Sequence, residues 1–129
     1  MEQKKKILLF RVKNEKAEQI KNLGRLLDLE ISRIDRMQYG EPLGRLAGIP
    51  GSYSRFAEGK IYSGPELPAE MMVFSGLESE DLDVFLKKYR EAGIEPIGIK
   101  AVVTPFNMFW SSHQLFEELM KEHMAMRQQ

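Results

Sequence analysis

The chain has 129 residues, 43% of them hydrophobic, with nineteen basic and nineteen acidic side chains and no cysteine. That size and apolar share predict one domain with a core of its own, needing neither metal nor disulfide to hold it. Balanced charge gives no bulk reason to seek nucleic acid or an anionic membrane, and the lack of cysteine excludes disulfide frameworks, thiolate nucleophiles and iron–sulfur sites.

The opening MEQKKKILLF has an apolar run only from Ile7 to Phe10, and no small-residue cleavage site follows, so it reads as a strand rather than a leader. No apolar stretch approaches membrane-spanning length, and the expected location is the cytoplasm. After the strand Ile7 to Val12, Asn14 is the expected cap of a helix whose Ala17, Ile20, Leu23, Gly24 and Leu27 recur at helical spacing. A short strand over Glu30 to Ile34 follows.

Residues 37–70 carry Gly40, Gly44 and Gly48 at intervals of four. No Gly-Lys-Ser/Thr follows, so close packing of a short helix begun by Pro42 is preferred over a phosphate cradle. From Ile49 to Ala69 the chain is rich in Gly, Pro and Ser yet holds Tyr53, Phe56, Ile61 and Tyr62. Loops of this length are usually functional or disordered, and the aromatics predict that this one is ordered, folding onto the sheet or a neighbouring subunit, with Arg55 and Lys60 turned outward.

The plan then repeats. Met71 to Phe74 reads as a strand. Ser79 is the expected helix cap, with Glu80 and Asp81 in a first turn where the dipole favours anions. Leu82, Phe85, Leu86 and Tyr89 make a buried stripe, and Gly93 stops the helix. Ile97, Ile99, Ala101 and Val103 alternate as a strand, with Val102 on its other face. Two β-α-β units predict an α+β fold: a ferredoxin-like β-α-β-β-α-β sandwich with an added C-terminal helix and a long central loop containing a short helix. The halves are residues 5–48 and 70–127, joined by the loop 49–69. Only the pattern supports an internal duplication.

Pro105 ends the last strand. Ser111 and Gln114 fit a capping box, Trp110 and Leu115 a hydrophobic staple, and Asn107 can bond its own loop backbone. The final helix places Leu115, Phe116, Leu119, His123 and Met126 on one side, widened by Met120 and Met124. Glu118 and Glu122 lie one turn apart, but without a third ligand a solvated polar face beside Lys121 and Arg127 is the simpler reading than a metal site.

The stretches LGRLAG (43–48), IKAVVTPFNMFW (99–110) and LFEELMKEH (115–123) resemble a bacterial family described as domain of unknown function 3783. Its pattern of Leu-Gly-x-Leu-x-Gly followed by Lys-Ala-Val-x-Thr-Pro-x-Asn-x-x-Trp is met here by Lys100, Ala101, Val102, Thr104, Pro105, Asn107 and Trp110. The resemblance extends along nearly the whole chain, least well over Ile49 to Ala69, and implies no particular activity, substrate or cofactor.

Catalysis needs a nucleophile or a matched acid and base. The chain offers no cysteine, no nucleophile elbow and only His113 and His123, so a small-molecule-binding or regulatory module is the first expectation, with no cofactor and no metal. Lys100, Thr104, Asn107, Trp110 and His113 are the candidate ligand residues, for a small polar or anionic molecule held beside helix amides. The alternative is a protein-interaction module using Tyr53, Phe56, Tyr62, His123 and Met126, methionine being adaptable at such surfaces. Strands apolar on both faces need a third helix, the central loop or a second copy to cover the sheet, and a homo-oligomer is expected.

Overall fold

A computed structural model describes residues 4–50 and 61–127, and of residues 126 and 127 the backbone alone. The described elements are β1 (Lys6–Phe10), α1 (Asn14–Leu26), β2 (Glu30–Ile34), α2 (Leu43–Leu46), β3 (Met71–Ser75), α3 (Ser79–Glu91), β4 (Ile99–Val102) and α4 (Ser112–Arg127). Short 3₁₀ turns at Arg36–Gln38 and Asn107–Phe109 precede α2 and α4. The protein is thus a mixed α+β fold on one four-stranded sheet.

The strand order is β2-β1-β3-β4. β1 and β2 are parallel, β3 and β4 are parallel, and β1 meets β3 antiparallel in the centre. A ferredoxin-like sandwich splits each β-α-β unit around a strand of the other; here each unit keeps its two strands side by side, so the sheet does not confirm that topology. The physical reason lies in the connection from Asp35 to Glu70. No tight hairpin ties β2 to β3, so β3 is free to pair with β1 instead.

The two halves repeat in space. Lys6 and Met71, Asn14 and Ser79, and Leu26 and Glu91 are equivalent element ends, each pair 65 residues apart. The left-handed residues keep the same interval: Arg11 (φ 59°) matches Gly76 (φ 79°), and Asp28 (φ 58°) matches Gly93 (φ 69°). Leu8 pairs with Val73 at the middle of the antiparallel ladder, so a pseudo-two-fold axis passes between them. The same symmetry brings Pro42 and Ser111 together in an antiparallel bridge, where the Leu43 N–H donates to the Trp110 carbonyl at 2.9 Å.

Strand alternation divides the core into two layers. Ile7, Leu9, Met72 and Phe74 face α1 and α3, meeting Ile20, Leu23, Phe85 and Tyr89. Leu8, Phe10, Met71 and Val73 face the other way, under Tyr39, Leu43, Leu46, Leu67, Leu115 and Phe116. The second sheet face is therefore covered by α2, α4 and flanking loop residues of the chain itself. Tyr62 packs against this layer, its ring 5.7 Å from that of Tyr39. Ile61 is 72% exposed, and Tyr53, Arg55, Phe56 and Lys60 lie outside the described residues.

Several local expectations are corrected. Lys13, not Asn14, caps α1, and it supplies no side-chain bond. Glu78, not Ser79, caps α3, in a reciprocal box with Asp81. Backbone bonding to Glu78 and the Lys5 ammonium hold the Asp81 carboxyl below its usual range. Ile97 joins the α1–α3 layer, because β4 begins only at Ile99. The apolar arc of α4 ends near Met120: His123 is exposed and Met124 is 57% exposed. Among the described residues no helix is long and apolar enough to cross a membrane.

Candidate functional site

The carboxyl ends of β1 and β2 lie side by side, because those strands are parallel. At this edge β1 stops at Phe10 and the chain swings into α1 through Arg11. A left-handed conformation costs an L-residue with a side chain about 1–2 kcal/mol, which is why glycine is the usual occupant. Arg11 borders two cavities. One, of about 310 Å³, is also lined by Arg33, Asp35, Arg36, Tyr39 and Glu66. The other, of about 640 Å³, is lined by Val12, Lys13, Ala69 and Glu70.

Most of the smaller cleft is held rigidly. Arg33 donates from Nη1 to Asn14 Oδ1 and from Nη2 to the Val12 carbonyl, both at 2.7 Å. Arg36 Nε donates to the Gly64 carbonyl at 2.8 Å. These bonds fix the two side chains, and each guanidinium keeps further donors that the described bonds do not use. Arg11 itself has no hydrogen-bond or ion-pair partner among the described residues. The Tyr39 hydroxyl donates to Glu66 Oε1, which also accepts the Leu67 N–H at 2.9 Å. Burial, then the bond to Glu66, pushes the Tyr39 phenol far above its ordinary value. It therefore remains a neutral donor and keeps Glu66 in one orientation.

Beside the larger cavity, Lys16 Nζ lies 2.7 Å from Glu70 Oε1, with only 8% of the lysine side chain exposed. That pair neutralises a cation that burial would otherwise leave unpaired. Its packing role is structural.

The residues proposed from sequence divide differently. Thr104 Oγ1 accepts the Phe106 and Asn107 N–H groups, while Asn107 Oδ1 accepts from the Thr104 backbone and its Nδ2 donates to the Val102 carbonyl. These two brace the turn between β4 and α4. Trp110 packs half-buried on the α2–α4 layer, and the Gln114 N–H donates to the Ser111 hydroxyl at 3.1 Å, as the capping pattern requires. His113 Nδ1 lies 3.3 Å from Glu117 Oε1, and its ring faces Tyr62. Lys100 is not with them. It stands opposite Met72 on the α1–α3 side of the sheet, and its Nζ donates to the Ile97 carbonyl at 3.0 Å. Tyr53, Phe56 and the Met126 side chain are outside the described residues.

Arg11, Arg33, Asp35, Arg36 and Glu66 were not singled out by sequence. Only the interval of the repeat could have pointed to one of them, by aligning Arg11 with Gly76.

No curated protein and no solved structure matches the chain. Residues 70–126 match the model of a family described as Domain of unknown function (DUF3783). The matched span contains the stretches 99–110 and 115–123 but neither Leu43–Gly48 nor the arginine-lined cleft. In its second half this chain resembles that family.

Proposed function

We propose that the protein is a binding module without catalytic chemistry, which holds a small molecule carrying an anionic group in the cleft at the carboxyl ends of β1 and β2. The observation that carries this reading is Arg11: an unpartnered guanidinium kept in a left-handed conformation at the place where the other half has Gly76. Outliers of this kind persist where function requires them. The rest of the edge supports it. In the second half Glu78 seals the start of α3 with its own carboxylate, whereas Lys13 supplies no cap to α1. The first half therefore presents positive groups where the second has closed itself. Permanently charged guanidiniums and a phenol held neutral bind and orient, but do not move protons near pH 7.

Thermal denaturation with inorganic phosphate and small mono- and dicarboxylates tests this directly. A native-state ligand raises the midpoint with its concentration, and the rise should vanish in Arg11→Gly. No rise with any of these or with amino acids up to tens of millimolar, or an equal rise in the variant, would reject the cleft as the site.

A second reading, association with another copy, is favoured by one feature. Phe106 is 84% exposed and Phe109 is 55% exposed beside β4, an open edge of the sheet. Two such edges can pair about a two-fold axis, and a chain of no net charge repels its copy little. Light scattering of the parent against Phe106→Asp tests it, and a monomer at high micromolar concentration would reject it.

A further inference from the structure

We infer that the ligand is a zwitterion of the amino-acid type, its carboxylate held by Arg11 and its ammonium by Glu66; the inference rests on the cleft being the binding site. Charges of both signs line this small space, three guanidiniums against the carboxylates of Asp35 and Glu66. Among the described residues no two of the five form an ion pair. Arg33 and Arg36 spend their short bonds on Asn14 and on backbone carbonyls. The Asp35 side chain faces the Gln38 backbone N–H in its capping box, and the Gln38 side-chain oxygen accepts the Asp35 backbone N–H. Glu66 accepts two neutral donors, Tyr39 and Leu67, on the same oxygen, Oε1. Its second oxygen has no bond among the described residues.

A simple anion would satisfy the guanidiniums but would bring a negative charge beside Glu66 and Asp35. A simple amine would do the reverse. A molecule bearing carboxylate and ammonium on neighbouring atoms answers both signs at once. The volume of about 310 Å³ also suits a compact molecule of this kind better than a nucleotide. Tyr39 has a defined part: it donates to Glu66 and fixes that carboxylate toward the cleft without competing for its free oxygen.

The test uses the full chain and follows the melting midpoint against the proteinogenic amino acids. Each active one is then compared with its deaminated acid, its decarboxylated amine and inorganic phosphate. Loss of one charge-assisted hydrogen bond should weaken binding at least about tenfold, so both analogues should fall short of the amino acid. Glu66→Gln keeps an acceptor for Tyr39 and Leu67 and should bring the amino acid down to the level of its deaminated acid. If that variant does not fold, the analogue series on the parent protein alone decides: a deaminated acid or decarboxylated amine that binds as tightly as its amino acid would overturn the zwitterion. Carboxylates or phosphate that match the amino acids, yet depend on Arg11, would overturn the zwitterion while leaving the binding site intact. Silence from every compound would overturn both.

Discussion

Arg11 and Gly76 occupy one and the same place in the two halves of this protein. Each follows the last residue of a central strand, each has positive φ, and each leads into a helix of the same length. The shared conformation is the general requirement of the turn. The arginine is what the first half adds to it.

Replacing Arg11 by glycine should therefore separate stability from binding. Glycine removes the left-handed penalty of about 1–2 kcal/mol, offset in part by greater freedom of the unfolded chain. The expected outcome is a variant of equal or slightly higher stability, by up to about 1 kcal/mol, that no longer responds to anions. Urea denaturation combined with the anion titration checks it. A clear loss of stability would mean that Arg11 serves packing.

Gly24 makes the opposite case. A Cβ at this position would stand 2.5 Å from Ile31 Cγ1 and 2.9 Å from the Leu29 carbonyl oxygen. Helix α1 can lie this close to β2 only without a side chain there. The second half places Tyr89 at the equivalent position, where its hydroxyl donates to the Glu95 carbonyl at 2.6 Å. Gly24→Ala should cost about 1–3 kcal/mol by overpacking, despite alanine's better helix propensity. An unchanged urea midpoint would show that β2 yields without strain.

Much of this architecture was legible because it is local. The helical stripes, the stop at Gly93, the cap at Ser111 and the brace of Asn107 each depend on residues within a few positions of one another. Helix caps were misread by one residue because Asn14 and Ser79 are ordinary cap residues, while the actual caps, Lys13 and Glu78, are set by where the turn leaves the strand. Strand order depends on pairing between distant segments, which alternation within each strand does not encode. The cleft was hidden for the same reason. Arg11 and Glu66 come from separate loops and Arg33 from β2, and no spacing rule joins them.

Tyr89 supplies a pH dependence whose sign follows from burial. Its phenol is pushed up to about 12 from 10.0, first by burial and then by the Glu70 and Glu95 carboxylates. Below pH 10 the tyrosine is protonated in both folded and unfolded chains, and its contribution is fully present. Between pH 10 and 12 the unfolded chain releases a proton that the native state retains, so stability falls as pH rises. The loss attributable to Tyr89 should be on the order of 2–3 kcal/mol across that window. Tyr89→Phe should start less stable, by about 1 kcal/mol for the lost hydrogen bond, and should show a shallower decline. Parallel decline of the two proteins from pH 10 to 12 would refute the assignment.

Trp110 decides whether the turn before α4 is a joint or a site. Its ring is half-buried on the α2–α4 layer, its carbonyl accepts the Leu43 N–H, and it lines no part of the arginine cleft. Full burial of a tryptophan would make truncation cost about 3–5 kcal/mol; with part of the ring exposed, Trp110→Ala should cost about 2–3 kcal/mol. The backbone bond to Leu43 survives the substitution, so the Pro42–Ser111 bridge should hold and the fold should persist at low temperature. Anion titration below the new melting point should then match the parent. A variant that melts like the parent but has lost its ligand would place the site at this turn, among Thr104, Asn107 and His113, and away from Arg11.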